Sequence, residues 1–484
     1  LLWTNTIKIP FLGGAYAGRS SNVSPETCIN LFYEKGVSGE SLVGTAGAVR
    51  RVTPKFGEVR GGIAYNDLAY FVVGDILYEV NSAWTATSRG TLNSSVGVVS
   101  MAHNGVRTGA NQQIMIVDGT DGYIYDNTTS TLTQITDTDF VSTDVVVFID
   151  GYFLFIQSSK SDRFWITAQY DGTVIDSSDF ATAEGWPDEL QSVIADNREV
   201  FLFGAETLEV WYNSGDADNT FQRYQGGFKQ HGCAAKFSPA RFDNSVVWLS
   251  RNERGDGLIV TLGEGYQPTV ISSPELNYQI SRYKNIDKAF AYSYQHEGHE
   301  FYVITFPGND ATWAYDASMK EWHRRAHEIG GHFPSRERYS VHVFAFNKHL
   351  FGDYIDGSIY ELDGSIGTFA GGRVERERTT ISVSDEEDRR RLSSIQLDME
   401  EGIGDGNTAN DDEFWLSYSK DGGHTYSNEV MKAAGEGGQW DIRVLWRRLG
   451  QARNWIFRIR TWTSARPVFK GLIAKMYGEG SRKP

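Results

Sequence analysis

Residues 300–323, EFYVITFPGNDATWAYDASMKEWH, alternate with a period of two. Phe301, Val303 and Thr305 fall on one side, Tyr302, Ile304 and Phe306 on the other, and the pattern resumes over 312–315 after a Pro-Gly-Asn-Asp turn. Such alternation sends successive side chains to opposite faces of a strand, and the turn joins two strands as a hairpin. A further turn over 316–320 leads into Trp322. The same unit recurs at 70–80 about Gly74 and Asp75, at 114–126 about 118–122, and at 200–212, 246–260 and 350–362, with a less regular copy at 153–167. The copies stand about 40–55 residues apart, the period of a β-propeller blade. A blade covers its faces only by packing on its neighbours, so the units imply a ring.

First strands predicted at 62–65, 96–101, 145–149, 190–195, 237–242, 288–294 and 341–346 give about seven blades within residues 56–379. A short helix at 274–280, capped by Ser272 or Ser273, interrupts the series between the fifth and sixth. Residues 1–55 fall outside the pattern. Strands predicted at 7–12 and 28–33, with a Gly/Ser/Asn-rich loop at 13–24 between them, read as an arm that packs with the C-terminal region. Beyond Gly371 and Gly372 the pattern changes: a charge block at 384–391 precedes strands at 392–399, 413–419, 441–446, 455–462 and 468–476, the spacing of a small β-sandwich over 380–484. The expectation is an all-β chain, a β-propeller of about seven blades followed by a β-sandwich-like platform domain.

Composition supports this class. Aromatic residues at 13%, with 51 Gly and only 11 Pro, suit many short strands joined by tight turns. The net charge of -16 disfavours general DNA or RNA binding. Two cysteines, Cys28 and Cys233, cannot build a disulfide framework, and no apolar stretch reaches the length of a membrane span, so no membrane anchor is expected and synthesis in a cytoplasm fits best.

Candidate chemistry is sparse. Residues 419–426, SKDGGHTY, match the Asp-box pattern, in which Ser and Asp satisfy turn amides; this copy, alone and outside the propeller, reads as turn-forming. His296, Glu297 and His299 fit a polar hairpin turn better than a metal site, and residues 118–122 a turn better than a calcium loop. No nucleophile triad, phosphate loop or dinucleotide fingerprint is present, so no catalytic residue, metal or cofactor is expected. Arg389, Arg390 and Arg391 follow four acidic residues and suggest a subunit salt-bridge zone or a solvated strand entry. Arg443, Arg447, Arg448, Arg453, Arg458 and Arg460, interleaved with Trp440, Trp446, Trp455 and Trp462, suit either an interface or a sandwich core with Arg on its outer face. Two hairpin ends, Ser214, Asp216 and Asp218 in one and Arg251, Glu253 and Asp256 in the other, are candidate rim loops, against the plainer reading of ordinary surface loops.

Three segments carry a resemblance: INLFYE at 29–34 followed by LVGTAG at 42–47; HEFYVITFP, TWAYD and EWHRR between His299 and Arg325; and the SKDGG, LWRRLG and FRIR series near the C-terminus. Together they resemble the tail hub, or nozzle, proteins of short-tailed bacteriophages, over nearly the whole chain. Ala46 stands where the commoner turn has Pro. The resemblance implies a homo-hexameric ring beneath the portal and the tail adaptor (head-to-tail connector) ring, prolonging and closing the DNA channel. Tail fibres or tailspikes would attach around it, with a tail needle or internal ejection proteins as further partners, and dsDNA would pass without specific binding. It implies a place in the virion tail. The alternative is a glycan-binding or glycan-cleaving propeller acting on a host surface.

Overall fold

The computed structural model describes residues 3–158, 161–183, 185–186, 188–216, 219–252, 255–384, 389–401, 412–433 and 443–478. Among them, seven four-stranded antiparallel blades form the propeller. Blade one runs Val59–Tyr65, Leu68–Val73, Ile76–Val80 and Ala86–Thr91, and blade two Ser100–His103, Gln113–Val117, Gly122–Asp126 and Thr131–Gln134. Blade three comprises Val146–Ile149, Tyr152–Ile156, Arg163–Ala168 and Asp171–Thr182; blade four Leu190–Asp196, Glu199–Gly204, Leu208–Asn213 and Phe221–Lys229. Blade five holds Ala240–Phe242, Ser245–Asn252, Gly255–Gly263 and Gln267–Val270, and blade six Phe290–His296, His299–Phe306, Ala311–Asp316 and Glu321–Arg325. Blade seven has Tyr339–Ala345, Lys348–Asp353 and Ile359–Asp363, and takes its outer strand, Gly47–Val52, from the far end of the chain.

That borrowed strand closes the ring. Ala48, Val49 and Arg50 pair with Leu362, Glu361 and Tyr360, while the first strand of blade seven lies against that of blade one, the Ser340 hydroxyl donating to the Val59 carbonyl at 2.6 Å. The second strands are sealed on both faces by neighbouring blades: Tyr70, Phe71, Val72 and Val73 are all buried. Burial on both faces explains why these strands read as near-continuous apolar runs.

The segment predicted as a strand over 96–101 begins pairing only at Ser100. The reason is Arg60. Its buried guanidinium donates to the carbonyls of Gly97, Ser94, Val96 and Gly74 at 2.6–2.9 Å, so the 94–97 carbonyls turn inward and away from a ladder. Replacing Arg60 by Ala leaves these acceptors dry, and we expect a loss of about 2–4 kcal/mol, measured by urea unfolding.

The N-terminal arm is divided between the two parts of the molecule. Trp3–Ile9 pairs with Val468–Gly478, and the hairpin Leu31–Lys35 and Glu40–Gly44 extends the same platform sheet, which continues through Val468–Gly478 and Arg390–Met399 to Val444–Ala452 at its edge. The strand predicted at 28–33 breaks at Asn30, whose φ of 55° lies in the left-handed region. The second platform sheet comprises Gly372–Thr379, Asn454–Thr463, Glu413–Ser419 and Val430–Ala433. Gly372–Thr379, placed by the sequence pattern with the propeller, is therefore a platform strand; its run of Arg and Glu pairs with the equally charged Arg458 and Arg460 region. Trp446, Trp455, Phe414, Leu416, Phe457 and Leu472 fill the space between the sheets.

Cys28–Ile29 joins the halves. It pairs in parallel with the outer strand of blade six at Arg324 and antiparallel with Gly372–Thr379, so one continuous sheet passes from propeller to platform. The helix Pro274–Ile280 forms between blades five and six, its N-cap Ser273 accepting from the Leu276 amide at 3.2 Å.

Candidate functional site

The junction concentrates the buried polar chemistry. Asn30 donates from Nδ2 to the carbonyls of Ala326 (2.7 Å) and Glu375 (2.8 Å) and accepts the Ala326 amide at 2.9 Å, clamping blade six to the platform. Arg378 donates to the carbonyls of Phe11 and Gly14, both at 2.7 Å, fixing the arm. Arg376 is fully buried and donates to the carbonyls of Gly367, Thr45 and Val374 and to the Thr463 hydroxyl; burial lowers its guanidinium to about 9. The turn at His296 and Glu297 reaches the platform through Glu297 and Arg466, 2.8 Å apart. Glu297 and Gly298 form the hairpin turn itself, and among the described residues there is no group of three or more His, Cys, Asp or Glu placed to hold a metal.

Arg325 and Glu337 form a buried pair at 3.8 Å, with Tyr292 donating to the carboxylate at 2.9 Å and the guanidinium lying over Phe301. Burial raises the Glu337 carboxyl. Beside them an enclosed cavity of about 30 Å³, walled by Phe32, His327 and Tyr339 among others, has room for little more than one water. This is a cemented joint without space for a substrate.

Histidines make the joint sensitive to acid. Arg325 Nε donates to His323 Nε2 at 3.3 Å, which requires a neutral ring, and burial holds His323 well below its ordinary value. Burial also lowers His327 to about 3, with Arg338 and Arg325 adding to it. A histidine held neutral takes up its proton more readily in the unfolded chain, so stability falls as pH drops below roughly 6.5. His299 acts in the opposite sense: its 2.6 Å bond to Asp316 raises it, giving stability that is whole below roughly pH 6.5 and fades as pH rises through the raised value. Net loosening on acidification is expected, and His323→Gln should flatten the pH dependence of unfolding by up to roughly 1.4 kcal/mol per pH unit below pH 6.5.

The arginines chosen from sequence separate into two groups. Arg443, Arg447, Arg448 and Arg453 are exposed on or beside Val444–Ala452, the edge strand of its sheet, with Arg389 and Arg391 exposed at the start of the adjoining strand and Arg390 partly covered. Arg458 and Arg460 are engaged inside the platform: Arg458 donates to the Ser417 hydroxyl and lies over Tyr426, while Arg460 pairs with Glu375 and Glu429. Trp446 and Trp455 are core residues, and Trp440 lies outside the described residues.

The two rim loops differ from their expected form. Antiparallel order places Asn213, where the third strand of blade four ends, on one rim, and Asn252, where the second strand of blade five ends, on the other. Arg251 and Asp256 are strand residues paired with each other, because Gly232–Cys233 adds to the ladder at Ser250 and Arg251 and extends it to the hairpin tip. Ser214 and Asp216 lie in a turn tied by its own side chains, the Ser214 hydroxyl donating to the Asn219 carbonyl at 2.7 Å and Asp216 accepting the Asn219 amide at 3.2 Å. Asp218 and Glu253 lie outside the described residues. In the Asp-box turn, Asp421 accepts from the Thr425 amide at 2.9 Å and hydroxyl at 2.6 Å, bonds that hold its carboxyl far below the usual range.

Sequence patterns missed Asn30, Arg376, Arg378 and Arg466 as joint residues. Asn in an otherwise apolar CINLFY run was the visible signal for the first.

Two family models account for this architecture. One, described as Bacteriophage P22 Gp10, beta-propeller, matches residues 7–367, and the other, Bacteriophage P22 Gp10, beta-sandwich, matches residues 375–477. The chain belongs to the phage P22 Gp10 family. Gp10-family membership makes it a structural protein of the phage tail, a tail hub concerned with stabilising packaged DNA, located in the virion tail and associated with other tail components. Among curated proteins none matches significantly. Solved structures similar to the chain include PorZ of the type-IX secretion system of Porphyromonas gingivalis (11% identity, 73% of this chain and 44% of that one, TM-score 0.38). They also include the N-terminal domain of Nup159 (9%, 69% and 97%, TM-score 0.41) and the mitotic checkpoint complex (10%, 63% and 89%, TM-score 0.41). The chain thus spans less than half of PorZ, and at these TM-scores the likenesses carry no argument about the Gp10-family chain.

Proposed function

We propose that the protein assembles as a homo-hexameric ring below the portal and adaptor rings, prolongs the DNA channel and keeps it closed until ejection. Membership of the tail-hub family over both halves of the chain carries this reading. Two features support it. An acidic chain of net charge -16 lets dsDNA slide past without being retained. The arginine-bearing edge formed by Arg391, Arg443, Arg447, Arg448 and Arg453 suits contact with an acidic partner, either the next subunit or the adaptor. The 214–216 turn is the described remnant of the rim-loop candidates. The protein is made in the host cytoplasm, performs no catalysis and serves as the mount to which fibres or tailspikes and any needle or ejection proteins attach.

The edge is tested by Arg447→Glu/Arg448→Glu/Arg453→Glu. These exposed changes should leave the melting temperature within about 2 °C, since surface substitutions cost little, while incorporation into particles falls at least about tenfold if the like charges now repel the partner. Normal incorporation of the triple variant would remove the edge from the contact.

A further inference from the structure

The outer strands of blades three and four share an irregularity. In blade three, Trp165 pairs with Phe180 and Thr167 with Ile175, so residues 176–179 stand opposite Ile166 alone. In blade four, Trp211 pairs with Arg223 and Glu209 with Phe228, so residues 224–227 stand opposite Val210 alone. No other described outer-strand pairing bulges so far: those of blades two, five and six are regular, that of blade one shifts only at Arg89 and that of blade seven only at Arg51. Bulges re-aim side chains and interrupt edge pairing. The blade-four bulge carries Tyr224 outward, and Phe180 is the paired residue at which the blade-three ladder resumes.

Between residues 180–182 of blade three and 221–228 of blade four lies a groove of about 970 Å³. Phe180 and Tyr224, 39% and 46% exposed, present rings at its walls. Both rings are held. Arg163 lies 4.5 Å over the Phe180 ring, and Tyr224 rests edge-on against Tyr212 and Tyr266. The groove is built from beneath by Glu209, a buried carboxylate that accepts from the Trp211 indole at 2.8 Å and the Gly185 amide at 2.7 Å and meets Arg223 at 3.4 Å. Gln222 and Gln225 supply planar donors and acceptors along the same lining. The site lies on blades three and four, whereas the platform pairs with blade six.

We propose that this groove binds a neutral polysaccharide. Exposed rings offer flat apolar faces to the C–H side of a sugar, while neighbouring amides and a guanidinium match its hydroxyls. Among the described lining residues, Arg223 is already paired with Glu209, so the wall favours an uncharged ligand over an acidic polymer. Glu209 is committed to three donors and leaves no free carboxylate pair for glycoside cleavage among those residues. Binding without hydrolysis follows, and it does not depend on ring assembly.

The test uses the full-length protein on immobilised dextran, mannan and galactan, with uronic-acid polymers alongside. Retention on at least one neutral polysaccharide, weakened at least about tenfold by Tyr224→Ala and by Gln222→Ala/Gln225→Ala and unchanged by Phe344→Ala on blade seven, is expected. Tyr224, Gln225 and Phe344 are exposed, and thermal melts of each variant verify folding. The proposal is overturned if no neutral polysaccharide is retained, if only uronic-acid polymers are, if the groove variants bind as the parent does, or if new reducing ends appear.

Discussion

Removing residues 1–52 should abolish the folded state. The deletion takes away Gly47–Val52, the outer strand of blade seven, and with it the strands Trp3–Ile9, Cys28–Ile29, Leu31–Lys35 and Glu40–Gly44 that complete and tether the platform. The paired edge of Ile359–Asp363 becomes bare, buried Ala48, Leu31, Phe32 and Leu42 disappear from their clusters, and an open edge invites aggregation. Burial of a large apolar side chain contributes roughly 1.5–3 kcal/mol; with Ile9, Phe11, Ile29 and Val43 also lost, the deleted segment forfeits roughly 10–21 kcal/mol, as much as or more than the whole stability of an ordinary domain, about 5–15 kcal/mol. The expected outcome is insoluble or protease-labile protein. Adding residues 1–52 in trans should restore solubility in part if strand closure is the cause, whereas a soluble truncated protein with an unchanged melting temperature would refute the closure argument.

Asn30→Asp should uncouple propeller and platform with almost no change of shape. The carboxylate still accepts the Ala326 amide but cannot donate to the carbonyls of Ala326 and Glu375, and it places a charge beside them in a buried site. A buried acceptor left facing a charge of its own sign costs several kcal/mol, and we expect about 3–5 kcal/mol here. Asn also tolerates the left-handed backbone at this position better than most residues, so Asn30→Ala should be nearly as damaging. Urea unfolding followed by tryptophan fluorescence checks this, since Trp446 and Trp455 report on the platform and Trp248 and Trp322 on the propeller. Two separated transitions in place of one cooperative loss are expected.

How much of this was legible in the chain depended on locality. Hairpins such as those in blade six are written in neighbouring residues, where alternation and a turn suffice, and the Ser273-capped helix carries its own start signal. Long-range closure is not local. Nothing in GAVRRV at Gly47–Val52 names its partner more than 300 positions away, and Gly372–Thr379 reads as any charged strand until its pairing with Asn454–Thr463 is seen. Arg60 and Arg376 carry no local sign of burial; only tertiary structure shows that each is buried among the carbonyls it satisfies. Family resemblance supplied the tail-hub role. The exposed arginine edge was legible as composition, but separating it from Arg458 and Arg460 required knowing which pairs close within the sheet.

The central claim is that this chain is the tail hub, and the most direct measurement is its copy number in purified virions relative to the portal protein. About six copies, half the portal count and consistent with a closed cyclic ring, together with loss of packaged DNA from particles assembled without it, is the predicted result. Its absence from the virion, or particles that stay filled and infectious when it is deleted, would contradict the account.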